Sequence, residues 1–140
     1  MKKIISIVFV LTLAFVFMTF NAHKAEAAAC GGESYIVLYQ GANQTGSNLT
    51  YCMGKPGVYR FFSDLGYMDN QIESLRMVVG SLGRVPYAQM YVNQYFGGAC
   101  TAYKAPSSGT RNINISSGSQ FYNNYESLLT SNASGSCTVN

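Results

Sequence analysis

Acid–base chemistry near neutral pH turns mainly on histidine, and this chain has only one, His23, in an amino-terminal stretch with the composition of a leader. The remainder therefore has no imidazole to serve as general base, triad member or metal ligand. Its many serines have nothing of that kind to activate them. Four cysteines remain, Cys30, Cys52, Cys100 and Cys137, at long spacings with no CxxC pair, which argues against zinc and for disulfides. Carboxylates at Asp64, Asp69, Glu73 and Glu126 would suit a two-carboxylate glycosidase only at the right separation. No enzyme is expected from this set.

The leader is legible on its own. Lys2 and Lys3 precede an apolar run from Ile4 to Phe20, broken only by Ser6, Thr12 and Thr19, and Ala25-Glu26-Ala27 supplies a small-x-small cleavage pattern. Residues 1–27 read as a secretory signal peptide and residues 28–140 as one secreted domain. Past the leader, Lys55, Arg60, Arg76, Arg84, Lys104 and Arg111 stand against Glu33, Asp64, Asp69, Glu73 and Glu126. Six minus five leaves +1, which points to neither nucleic acid nor a membrane as partner. Four cysteines allow three pairings. Cys30–Cys52 with Cys100–Cys137 is favoured, because each bridge then staples one half of the chain.

The elements that must position these residues are strands. Tyr35-Ile36-Val37-Leu38-Tyr39, Leu75-Arg76-Met77-Val78-Val79 and Ala88-Gln89-Met90-Tyr91-Val92 are short β-branched and aromatic runs, separated by Gly, Asn and Ser turns. Eleven Tyr and eight Phe, some of the latter in the leader, supply the bulk for a core. Among Tyr35, Tyr39, Tyr51, Tyr59, Phe61, Phe62 and Tyr67, most are expected in the core rather than on a sugar- or peptide-stacking face.

The chain also repeats itself. Tyr39 and Gly46 recur 52 residues later as Tyr91 and Gly98, and Ser74-Leu75 recurs 53 residues later as Ser127-Leu128. Asn70-Gln71-Ile72-Glu73-Ser74-Leu75 matches Asn123-Asn124-Tyr125-Glu126-Ser127-Leu128. Two copies argue for a duplicated domain, with its seam near Gly80–Arg84.

These landmarks resemble those of the βγ-crystallins. In that family a motif opens with an aromatic residue, a second aromatic follows, and a Gly lies seven positions after the first. Tyr91, Phe96 and Gly98 fit; Tyr39 and Gly46 fit with Gln44 in the second aromatic place, so the first hairpin's fold-over is expected to be less firmly held. The family's other landmark, N/D-N/D-x-x-S/T-S, is matched by Asp69-Asn70-Gln71-Ile72-Glu73-Ser74 and by Tyr122-Asn123-Asn124-Tyr125-Glu126-Ser127. The resemblance implies an all-β, two-Greek-key β-sandwich of eight strands, with one key over about 34–80, the other over about 86–132, and a split near residue 82.

It also implies calcium. In calcium-binding members this loop supplies oxygen ligands, which suit a hard cation, and the corresponding set is Asp69, Asn70, Gln71, Glu73, Asn123, Asn124 and Glu126, with main-chain oxygens from Gln40 and Val92. This chain departs from the pattern in having Glu where the family has a Ser or Thr ligand, and Tyr122 in the first position. Glu73 either ligates or turns toward Arg76. The alternative is a loop that has lost calcium, with Ser74 and Ser127 serving the turn backbone. Three functions fit such a domain: a calcium-binding or structural module, an inhibitor of secreted proteases acting through Lys104-Ala105-Pro106-Ser107-Ser108-Gly109, or an antimicrobial or cell-wall-polysaccharide-binding protein.

Overall fold

The computed structural model describes residues 30–140; the expected leader, residues 1–27, lies outside the described residues. The described chain is all β, with strands β1 (Ser34–Gly41), β2 (Thr45–Lys55), β3 (Val58–Tyr59), β4 (Phe61–Phe62), β5 (Ser74–Val78), β6 (Tyr87–Asn93), β7 (Gly97–Lys104), β8 (Thr110–Asn114), β9 (Ser127–Ser131) and β10 (Thr138–Val139). They form two five-stranded sheets, ordered β3-β2-β1-β5-β8 and β10-β7-β6-β9-β4.

Eight strands were expected and ten are present among the described residues. The additional pair, β3 and β10, are two residues each. β3 exists because Pro56-Gly57, with Gly57 at φ +83°, turns the chain back on the end of β2. β10 exists because Cys137, bonded to Cys100, lays the last residues alongside β7. That bridge spans 37 residues, and on the loop-closure account it contributes about 4 kcal/mol. Cys30 and Cys52 are disulfide-bonded as well and no cysteine is free, which gives the favoured pairing.

The halves exchange strands. β4, from the first half, pairs with β9 through Phe61↔Leu129 and Phe62↔Leu128. β8, from the second half, pairs with β5 from Ser74↔Asn114 to Val78↔Thr110. Each half thus completes the other's sheet.

Period-two alternation sends Ile36 and Leu38 of β1, Leu75 and Met77 of β5, Ala88 and Met90 of β6, and Leu128 of β9 into one shared core with Met53, Leu65, Met68, Ile72, Tyr103 and Tyr125. Tyr35, Tyr39 and Tyr51 are buried as expected, and Tyr59 and Phe62 are half-buried. Phe61 and Tyr67 depart from the core expectation, at 66% and 56% exposed. Phe61 sits on a two-residue edge strand, and Tyr67 sits in a 3-10 turn, where its hydroxyl reaches Asn48 O at 2.7 Å.

Candidate functional site

The duplicated landmarks converge at one end of the sandwich. After β1 the chain folds over through Asn43 (φ 55°), Gln44 (φ 59°) and Gly46 (φ 77°); after β6 it does the same through Tyr95 (φ 55°), Phe96 (φ 63°) and Gly98 (φ 73°). The two fold-overs agree within a few degrees, so Gln44 does not weaken the first. What holds each one is a buried serine. Ser74 Oγ accepts from Gln44 N (3.0 Å) and donates to Gly41 O (2.6 Å). Ser127 Oγ accepts from Phe96 N (3.1 Å) and donates to Asn93 O (2.7 Å).

The glutamate before each serine works the same turn. Glu73 Oε2 accepts from Ala42 N at 3.1 Å, and Glu126 Oε2 accepts from Gln94 N at 3.1 Å. Their main-chain amides donate to Tyr39 O (3.0 Å) and Tyr91 O (2.9 Å). The second carboxylate oxygens reach across the repeat. Asn70 Nδ2 donates to Glu126 Oε1 at 3.0 Å, and Asn123 Nδ2 to Glu73 Oε1 at 3.5 Å. Both asparagines take left-handed backbone, φ 54° and 49°, a conformation asparagine tolerates better than most residues. Backbone bonds from Asn70 N to Tyr125 O (3.0 Å) and from Asn123 N to Ile72 O (3.3 Å) lock the two loops together.

The two loop sites differ chemically. Around Glu126 lies a second carboxylate: Asp69 Oδ2 accepts from Gln94 Nε2 at 3.4 Å, while Oδ1 accepts from Leu65 N at 3.2 Å. Partial burial pushes the Asp69 carboxyl above its ordinary range, with the charges of Asp64 and Glu126 adding to the rise and the bonds from Gln94 and Leu65 N opposing it. At Glu73 the equivalent place is Tyr122, whose phenol is held above its usual range chiefly by hydrogen bonding to Glu73. One site therefore gathers two carboxylates, and the other a carboxylate and a phenol.

Of the remaining sequence-derived ligands, Gln40 and Gln71 meet each other, Gln40 Nε2 to Gln71 Oε1 at 2.8 Å. Asn124 turns away to Gln120 O at 3.1 Å. Val92 packs near Gly98. Arg76 lies over the Tyr39 ring at 5.7 Å, while Glu73 serves Ala42 and Asn123. Sequence reasoning missed Gln94, the residue that links Asp69 to Glu126. Its signal was positional, since Gln94 stands 52 residues after Ala42, at the start of the repeated fold-over. Among the described residues no group of three or more His, Cys, Asp or Glu side chains gathers as a metal cluster. A cation here would depend on amide and main-chain oxygens as well as carboxylates.

The proposed inhibitor segment is mostly tied down. Lys104 pairs with Tyr87 in the sheet, and its carbonyl accepts from Arg111 Nη1 at 2.7 Å. Ala105 is buried, with its amide on Pro86 O at 2.8 Å. Ser107, Ser108 and Gly109 are the consecutive exposed residues after Pro106.

No helix among the described residues is long and apolar enough to cross a membrane, and the two disulfides fit an oxidising compartment. Comparison with protein-family models and with curated proteins gives no match.

Proposed function

We propose that this is a secreted, non-catalytic protein of βγ-crystallin type that holds calcium between the crossed loops of its two halves. The observation that carries the reading is the reciprocal clamp, in which Asn70 of one loop reaches Glu126 of the other and Asn123 reaches Glu73. Strand exchange between the halves supports it as well, since the exchange brings the two loops to the same end.

The residues fit a hard cation. Asp69 and Glu126 offer carboxylate oxygens, and turning the Asn70 amide over would present its oxygen in place of its nitrogen. At the other site Asn123 Oδ1 is a buried acceptor without a hydrogen-bond donor, an arrangement a cation would relieve. The Asp69–Glu126 site is the stronger of the two, because two negative charges attract a divalent ion more than one. At the weaker site Tyr122, Ala42 and Asn123 already donate to Glu73. With few carboxylates, the affinity belongs in the range of extracellular calcium modules, roughly 0.1–1 mM.

Thermal unfolding of the oxidised protein in EDTA and then in calcium tests this. With a dissociation constant of roughly 0.1 mM, 10 mM calcium adds about 2.7 kcal/mol, raising the midpoint by roughly 10 °C for a domain of this size. Glu126→Gln is expected to remove most of the shift and Glu73→Gln little of it. An unchanged midpoint in calcium would mean that the loops serve only the fold.

A further inference from the structure

We propose that the end of the sandwich opposite the loop clamp binds linear polyanions that carry a phosphate in every repeat. The net charge past the leader hides a segregation that the fold creates. Asp64, Asp69, Glu73 and Glu126 belong to the clamp end, where Glu73 N meets Tyr39 O and Leu65 and Gln94 meet Glu126. The basic residues gather around the seam linker at the other end, where Ser34 pairs with Gly54 and Tyr87 with Lys104.

A continuous chain of contacts runs through that end. Lys55 closes β2, and the following Pro56 fits against Gly83, where an added Cβ would come within 3.0 Å of its ring. Arg84 is next in the chain. Pro86 O then receives Ala105 N at 2.8 Å, which places Lys104 beside the linker, and Arg111 Nη1 donates to Lys104 O at 2.7 Å. Lys55 and Lys104 are exposed; Arg84 and Arg111 are half-buried. Among the described residues the ion pair is Arg60–Glu33 at 2.7 Å, and it cancels within this same end. Arg111 also reaches the main-chain oxygen of Asn140 at 3.3 Å. Outside the Arg60–Glu33 pair, Lys55, Arg84, Lys104 and Arg111 give this end four positive charges.

The two ends act independently in solution. Six strand steps from Ser34 to Gln40 of β1 separate them, about 20 Å at strand rise, against a screening length of about 8 Å at physiological ionic strength. An anionic chain at the seam end is therefore attracted by that end's own charge and is little repelled by the distant carboxylates. Net charge, which averages the two, does not describe what either partner meets.

The probe is soluble inorganic polyphosphate, titrated in EDTA so that the outcome does not depend on calcium. Binding is expected at 50 mM salt, and if all four cations engage it falls by roughly 50- to 150-fold at 200 mM. Lys55→Glu with Lys104→Glu is expected to weaken it at least tenfold with the melting midpoint unchanged. Lys55→Gln alone, which removes one exposed charge, provides a graded loss if the double variant folds poorly. No binding at 50 mM salt, or equal binding by a folded double variant, overturns the proposal. Light scattering without polyphosphate gives the other decisive outcome. A salt-sensitive rise in mass, abolished by the same lysine changes and by Asp64→Lys, would assign this end to the acidic end of a second copy instead.

Discussion

Ser74 and Ser127 are fully buried, and each hydroxyl bridges a left-handed turn to the strand that precedes it. Non-glycine residues in that conformation cost about 1–2 kcal/mol each, so the turn needs those bonds to persist. Asp69 presents the opposite case, a side chain that opposes folding at neutral pH. Its folded pKa lies above the ordinary value of 3.8, with burial the largest cause. Between the unfolded and folded values the native state binds more protons, so stability falls as pH rises through that window and the full penalty remains above it. In EDTA, Asp69→Asn is expected to melt higher than the parent at pH 7, with the difference shrinking as the pH falls below the ordinary aspartate range. Parallel melts at pH 3.5 and 7 measure this, and equal midpoints at pH 7 would contradict it. If calcium binds as proposed, the same substitution is expected to reduce the calcium shift, because it removes one of the two carboxylates at the Asp69–Glu126 site.

β4 and β8 have the largest consequences for how the chain folds. β4 has only two residues, yet it brings Thr130 Oγ1 to Arg60 N at 2.7 Å and to Met53 O at 2.8 Å. Thr130 of β9 thereby ties the start of β4 to its own sheet and reaches β2 of the other. β8 supplies Ile113 to the core and Asn114 to the first fold-over, where its side-chain oxygen accepts from Asn43 N at 2.8 Å. A single half therefore lacks an edge strand, a share of the core and the far side of its own loop clamp. Residues 30–84 produced alone are expected to show no cooperative thermal transition and no native near-ultraviolet dichroism. A cooperative melt of that fragment as a monomer would show that exchange is dispensable. The prediction belongs at this scale because the individual contacts are modest, and it is their simultaneous loss that removes the core.

At the scale of the whole molecule the main feature is polarity along the strands. One end gathers carboxylates and left-handed asparagines, and the other gathers lysine and arginine around the linker between the halves. Separation by more than a screening length makes the ends independent. Asp69→Asn with Glu126→Gln is accordingly expected to change polyphosphate affinity by less than twofold at 150 mM salt, measured by direct titration. A larger effect would mean that the ends communicate, through the loops or through altered packing. The exposed aromatic residues have a different distribution. Phe61, 6.0 Å edge-to-face from Phe96, and Tyr95, 76% exposed, lie by the second fold-over rather than at the seam.

The sequence alone determined what depends on local pattern. Short β-branched and aromatic runs marked strands at Tyr35–Tyr39, Leu75–Val79 and Ala88–Val92, the recurring Tyr, Gly and Ser marked two equivalent halves, and an even number of widely spaced cysteines pointed to two bridges. These can be read because strand period, turn sterics and thiol pairing act over a few residues or by count. Tertiary structure decided what depends on which half meets which. Asn70 belongs with Glu126, and Asn123 with Glu73, only because the strands are exchanged, and Gln94 joins Asp69 only because the second fold-over lies over the first loop. Gln44 could substitute for an aromatic residue because backbone bonds to Ser74 hold the turn, which a side-chain motif does not reveal. The charge segregation was likewise absent from the sum of +1 over residues 28–140, since such a sum contains no positions and electrostatic attraction depends on them.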